Sequence, residues 1–177
     1  GTIKASRVIL VLSPTGNQLG IRCENVQMVV QLIDGKFPDY QSILPNTHKT
    51  RTVIATEALL KACKQASIIA RDGNNVVSFH LQPYKTDSVQ PGTDQTGKVK
   101  ILAKSDETGT SEIELDACVE GQDLEIAFNV KFLQDGLEAV SSKNVVIEAN
   151  ASNTPAVIRA SDDQNFIYIL MPMHMDK

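Results

Sequence analysis

The feature that most constrains this chain is an internal repeat. Residues 124–175 read as a strand, a capped helix and a three-strand meander, and residues 51–119 read as the same succession. In the later copy a strand at 124–128 leads to Asn129, followed by Val130, Leu133, Leu137 and Val140 on one helical face. An asparagine side chain accepts hydrogen bonds from the otherwise unpaired N–H groups of a first turn, so Asn129 marks a helix start. Strands at 144–149, 156–160 and 166–173 follow, with Asn/Ser/Asp turns between them. In the earlier copy Thr56 takes the cap position after a strand at 51–55. Glu57 lies in the first turn, and Leu59, Leu60, Cys63 and Ala66 repeat at helical spacing to about residue 69. Strands at 76–81, 98–104 and 111–119 complete this copy, the first two joined by a polar stretch at 86–96 that reads as a long hairpin loop. The chain is therefore expected to be α+β, with antiparallel meanders and few helices.

Residues 7–12, 19–23 and 26–33 match only the meander of a third copy, with Arg7-Val8-Ile9-Leu10 corresponding to Asn144-Val145-Val146-Ile147. The chain also opens on Gly1-Thr2 rather than Met, so it reads as beginning inside a unit. Such a partial unit is expected to leave an apolar face and an open strand edge. Two prolines, Pro38 and Pro45, and a polar run from Asn46 to Thr50 read as a linker. The domain boundary is placed near residue 49, giving a first domain at 1–49 and a second at 50–177.

The last strand is unusual for a terminus. Phe166 to Met171 is apolar, Pro172 follows, and Met173 and Met175 lie close to the chain end. Termini fray unless they are docked, and methionine suits adaptable apolar surfaces. The pattern is read either as a buried closing strand or as a surface kept for a partner. Pro172 cannot donate to a ladder, so pairing should stop or move to the sheet edge there.

Composition excludes more than it assigns. A net charge of −4 argues against a tight, sequence-independent grip on nucleic acid, although a local basic face is compatible with it. The helical lysines Lys61, Lys64 and Lys131 are candidates for such a face, or are simply solvated. With aromatics at 5% and no tryptophan, the core must be mostly aliphatic. Cys23, Cys63 and Cys118 are odd in number and widely spaced, as expected of small buried thiols in a reducing compartment. No segment has the length and apolarity of a membrane span, and a cytoplasmic location without membrane partners is expected.

No constellation for catalysis, cofactor or metal stands out. His48, His80 and His174 have no Cys or carboxylate at ligand spacing, and there is no Gly-rich phosphate loop or nucleophile elbow. The pairs Asp106-Glu107 and Asp162-Asp163, and the neighbouring Asp34 and Asp39, sit in turn-forming contexts. A non-enzyme without cofactor is expected.

Three separated segments carry a resemblance. Leu32-Ile33-Asp34-Gly35-Lys36-Phe37-Pro38-Asp39-Tyr40 with Ile43-Leu44-Pro45, then Ile126-Ala127-Phe128-Asn129-Val130-Lys131-Phe132-Leu133, then Tyr168-Ile169-Leu170-Met171-Pro172-Met173 occur in register with the bacterial sliding clamp family, the beta subunit of DNA polymerase III. The chain resembles the second half of that family's middle domain, with its linker, and a complete C-terminal domain. The resemblance implies a clamp fold, with antiparallel sheets outside and helices on the inner face. It also implies a head-to-tail homodimer ring, in the full-length protein, that encircles duplex DNA as a processivity factor in replication. The expected partners are the replicative polymerase, the clamp loader and other proteins with a clamp-binding motif of the Gln-x-x-Leu-Phe type.

Carried over position by position, the resemblance places a peptide-binding cleft at Pro38, Ser42 and Ile43 and at Asn129, Phe132, Ile169, Leu170, Met171, Pro172 and Met173. It places Lys61, Lys64 and Lys131 toward DNA, and Ile68 and Ile69 at the ring interface. Two departures bear on affinity: Ser42 stands where the family often has arginine, and the tail continues as His174-Met175-Asp176-Lys177. Without the family's other domains, ring closure by these residues alone is not expected. The alternative reading is a stand-alone β-rich interaction or structural module with no role on DNA.

Overall fold

The two repeats interlock. The computed structural model describes residues 7–37, 39–45, 47–71, 74–84 and 97–174, and packing divides the chain into one unit up to Asp39 and a second from Tyr40 onward. Pro38, the expected loop at 86–96 and the tail beyond His174 lie outside the described residues.

The first unit is an antiparallel meander of β1 (Ile9–Leu12), β2 (Gln18–Cys23) and β3 (Val26–Gln31). Side chains alternate between the faces of a strand. The register puts Leu10 opposite Ile21 and Ile21 opposite Met28, and likewise Leu12, Leu19 and Val30 in a row. One face is thus wholly apolar, and Leu10, Leu12, Met28 and Val30 on it are exposed. The other face mixes Ile9, Val11 and Val29 with Gln18, Arg22 and Gln27. The apolar face expected of a partial repeat is present.

The second unit starts with a short helical turn at Tyr40–Ser42 and then holds both full repeats. The first repeat is β4 (Thr50–Ala55), α1 (Thr56–Ala70), β5 (Val76–Gln82), β6 (Gly97–Ser105) and β7 (Gly109–Gly121). The second is β8 (Leu124–Asn129), α2 (Val130–Glu138), β9 (Asn144–Ala149), β10 (Ala156–Ala160) and β11 (Ile167–Leu170). The eight strands follow the order β11-β10-β9-β4-β7-β6-β5-β8. The leading strands join the two repeats: β4 lies between β7 of its own repeat and β9 of the other, and β8 pairs with β5 of the other, all antiparallel. Neither repeat can complete its sheet alone, which makes the pair one folding unit.

Both helices pack on one face of this sheet. Leu59, Cys63 and Ala66 of α1 and Val130, Leu133 and Leu137 of α2 meet Phe79, Ile101, Ile126, Val145 and Ile158 in a common buried core. Phe79 and Phe128 touch edge to face at 5.7 Å, joining β5 to β8. Gln134 Nε2 donates to the Cys63 carbonyl at 2.9 Å and ties the two helices together.

The two helix starts differ from the symmetric expectation. Asn129 caps α2 as read from sequence, its Oδ1 accepting from Lys131 N at 3.0 Å. Thr56 is not a cap: it is the first residue of α1, and Ala55 before it makes no side-chain cap bond. The Thr56 hydroxyl instead donates to the Ser142 carbonyl at 2.8 Å, and its N–H to the Lys143 carbonyl at 2.9 Å. A long-range contact outcompetes the local one, fastening the start of α1 to the loop after α2. The expectation of buried thiols also needs correcting. Cys63 is buried and its thiol is pushed up to about 12 by desolvation, but Cys118 is exposed on β7 and Cys23 is only half-buried.

Candidate functional site

The last strand ends sooner than its apolar run. Pairing with β10 runs from Ile167 to Leu170 and stops short of Pro172, which has no N–H to contribute. Beyond the proline the backbone crosses to the far end of the strand order. Met173 N donates to the Ala127 carbonyl of β8 at 2.8 Å, a single antiparallel bridge between strands that are otherwise the two edges of the sheet. The segment is docked through Leu170 and the Met173 N–H, while the side chains of Met171 and Met173 stand at the surface.

Which side chains face outward follows from this path. Leu170 is 4% exposed and points into the core, whereas Met171 is 62% and Met173 36% exposed. Ile169 and Pro172 are half-buried. Met171, Pro172, Met173 and His174 line a cleft of about 370 Å³ with Ser152 and Asn153 from the β9–β10 turn. Ser152 and Asn153 are absent from the sequence-derived set. The turn that carries them lies well before the last strand in the chain, with β10 between the two, so no local signal marks them.

The first turn of α2 belongs to the same neighbourhood. Tyr168 Oη donates to the Phe132 carbonyl at 2.9 Å, locking β11 to α2. A Cβ built at Gly136 would lie 2.7 Å from two Tyr168 ring carbons, so the ring packs directly on the helix backbone. Phe132 itself is 56% exposed, and Asn129 is half-buried with its side chain engaged as the cap. The Tyr168 hydroxyl is held above the ordinary tyrosine range, first by desolvation and then by the Asp135 carboxylate. Phe132, Met171 and Met173 are therefore exposed apolar side chains, the first two beside backbone fixed by Tyr168 and the β10–β11 ladder and the third held by a single bridge.

Ser42 and Ile43 lie in and just after the turn at Tyr40–Ser42, where Ile43 N donates to the Tyr40 carbonyl at 3.1 Å, and the Ile43 side chain is exposed. Pro38 lies outside the described residues. On α1, Lys61, Lys64 and Ile68 share the outer surface, lining a shallow groove with Glu57, Leu60 and Gln65. Ile68 is 69% exposed, while Ile69 packs partly against the core. Lys131 is exposed on α2.

Two histidines do have carboxylate partners that linear spacing did not reveal. His80 Nε2 lies 2.6 Å from Asp123 Oδ1, and His48 Nδ1 lies 3.8 Å from Glu148, which also accepts from Arg159 Nε at 2.9 Å. Residues 43 and 100 positions apart cannot be matched by a motif. Neither pair extends to a metal site: no cluster of three or more His, Cys, Asp or Glu suited to a metal occurs among the described residues. The Asp163 carboxylate accepts from Asn165 N at 2.9 Å, a turn role. No helix of the described residues is long and apolar enough to cross a membrane.

Two strand–helix–meander repeats joined through their leading strands, with both helices on one face, define a DNA-clamp domain. The likeness to solved clamps bears this out. The DNA polymerase III beta subunit of Thermotoga maritima superposes with a TM-score of 0.74 at 26% identity, over 96% of this chain and 42% of that one. The sliding clamp of Bacillus subtilis superposes with a TM-score of 0.77 at 26% identity, over 96% of this chain and 41% of that one. A sequence model of the DNA polymerase III beta subunit, C-terminal domain, matches residues 41–174, and the chain belongs to that family. The beta sliding clamp of Bacillus subtilis is 27% identical over 160 residues, 90% of this chain and 39% of that protein. That of Pseudomonas putida is 29% identical over 145 residues, 82% of this chain and 36% of that protein. The chain thus spans about two fifths of the length of these relatives.

Proposed function

We propose that this chain supplies the partner-docking and DNA-lining part of a sliding clamp, a non-catalytic, cytoplasmic replication processivity factor. In this reading residues 1–49 are the second half of a middle clamp domain with its linker, and residues 50–177 are a C-terminal domain. The full-length homodimer ring encircles duplex DNA without reading its sequence. The observation that carries the reading is the family match over residues 41–174, which includes the exposed Phe132, Met171 and Met173.

Partners with a clamp-binding motif, the replicative polymerase and clamp loader among them, dock an apolar peptide on that surface. Phe132, Met171 and Met173 supply contact area, Ile169 and Pro172 its flanks, and Leu170 fixes the strand from beneath. Asn129 sets the helix that presents Phe132, and Ser42 and Ile43 contribute from the linker side. Apolar anchors on a preorganised backbone favour such docking because little side-chain and loop ordering remains to be lost. Lys61, Lys64 and Lys131 face DNA, and Ile68 with Ile69 forms the ring contact of the full-length protein.

Fluorescence anisotropy of a labelled Gln-x-x-Leu-Phe peptide, titrated with the chain and with Met171→Ala, tests the docking role. Saturable binding that weakens at least about tenfold in the variant is expected of an anchor residue. Equal binding by both proteins would remove the last strand from the site.

A further inference from the structure

The outward face of the two helices is electrostatically balanced, and one contact does much of the balancing. α1 presents Glu57, Lys61 and Lys64 to solvent, and α2 presents Lys131, Asp135 and Glu138. Three cations face three anions on a surface read above as lining DNA. Lys64 Nζ lies 2.7 Å from Glu138 Oε1, joining the two helices, while both side chains remain about half exposed. The pair stands on the rim of a groove of about 600 Å³ whose floor is Leu60, Leu137 and Val140, with Glu57 and Lys143 also on the rim. An exposed pair of this kind adds little to stability. Its effect on a polyanion is larger. A lysine that neutralises a phosphate releases a condensed counterion, and one already neutralised by a carboxylate does not.

We infer that Glu138 limits the helix face's attraction for duplex DNA by holding Lys64 away from phosphate, so that the surface repels DNA less than the chain's net charge of −4 would and grips it less than three free lysines would. Glu138 is a positioning residue that acts through Lys64. This inference rests on the reading of the helix face as DNA-lining. It makes weak attraction a built property of the site, as a surface meant to slide along the phosphate backbone requires.

The test is the affinity of the full chain for a labelled blunt duplex, followed by anisotropy against salt for the wild type, Glu138→Gln, Lys64→Gln and the double variant. Freeing one lysine for phosphate should raise affinity about tenfold at about 50 mM salt and steepen the log–log salt dependence by about one. Because Glu138 acts through Lys64, the gain should vanish when Lys64→Gln is already present. Glu120→Gln is the matched control: it releases Arg51, 3.5 Å away, on the sheet face that the helices do not cover. It should leave duplex binding close to the wild-type value.

Equal gains from Glu138→Gln and Glu120→Gln would reduce the effect to net charge and overturn the inference. So would a gain that persists without Lys64. If Lys61→Gln and Lys131→Gln weaken binding while Glu138→Gln changes nothing, the DNA-lining reading stands and only the inference falls. If none of the lysine substitutions alters duplex binding, or no variant binds at all, both fall. Thermal melts of each variant, expected to match the wild type, separate these outcomes from misfolding.

Discussion

The ring of Tyr168 rests on the backbone of α2 at Gly136, so closely that a methyl group there would lie 2.7 Å from two ring carbons, while its hydroxyl reaches the Phe132 carbonyl one turn earlier. One aromatic side chain thereby sets the distance between the last strand and the helix that shows Phe132.

Gly136→Ala should therefore destabilise the second unit although alanine favours helices. The helix gains about 1 kcal/mol in propensity, but overpacking against a ring held at both ends costs about 1–3 kcal/mol. A lower urea midpoint with an unchanged slope is expected. Because the ring would be pushed outward, peptide binding should fall in parallel.

The two helix starts should both suffer from alanine but differ in whether another capping residue rescues them. Asn129→Ala should cost about 1 kcal/mol through loss of the cap bond to Lys131 N, and Asn129→Asp should retain most of it. Thr56→Ala should cost at least as much, about 1–3 kcal/mol, by leaving the buried Ser142 carbonyl without its donor. Thr56→Asn, a better cap in principle, should not restore it. Equilibrium unfolding of the four variants checks the ranking.

Neighbouring residues of the last strand should separate stability from docking. Leu170→Ala empties core volume and should cost about 2–5 kcal/mol. Met171→Ala and Phe132→Ala remove exposed side chains and should change stability by no more than about 0.5 kcal/mol. Loss of peptide binding without loss of stability at Met171 and Phe132 is the signature of a surface rather than a seam.

Titration should report the same packing. The Tyr168 hydroxyl is raised above its ordinary 10.0, so the folded state holds this proton more tightly than the unfolded one. Its contribution to stability is complete below pH 10 and falls as the pH climbs through the raised value. The tyrosinate absorbance difference between wild type and Tyr168→Phe should show a midpoint above 10.0. Among the thiols, Cys63 at about 12 should resist alkylation at neutral pH while exposed Cys118 reacts.

The sequence made the repeat legible because periodicity reports which face of an element is buried, and both repeats bury theirs under the same layer. The Asn129 cap was legible for the same reason: cap and helix are neighbours in the chain. Thr56 was misread because its hydroxyl is claimed by Ser142, 86 residues away. The pairing of β4 with β9 and of β8 with β5 across the repeats, the His80–Asp123 pair and the place of Ser152 and Asn153 beside Met171 were illegible on the same ground. Each joins residues that are distant along the chain, within one repeat or between the two, and no short window contains both partners. Resemblance located Met171 and Met173, but only the path of the backbone past Pro172 separates them from the buried Leu170.

The single bridge from Met173 to Ala127 makes the candidate surface a conditional one. Met173 holds its place only while the segment past Pro172 is latched onto β8, and one backbone bond is a weak latch by itself. Local opening of that edge would dismantle the surface without unfolding the core beneath it. A peptide seated across the latch would hold it shut, so occupancy and local order should rise together. Amide exchange at Met173 is where that reciprocity would be seen.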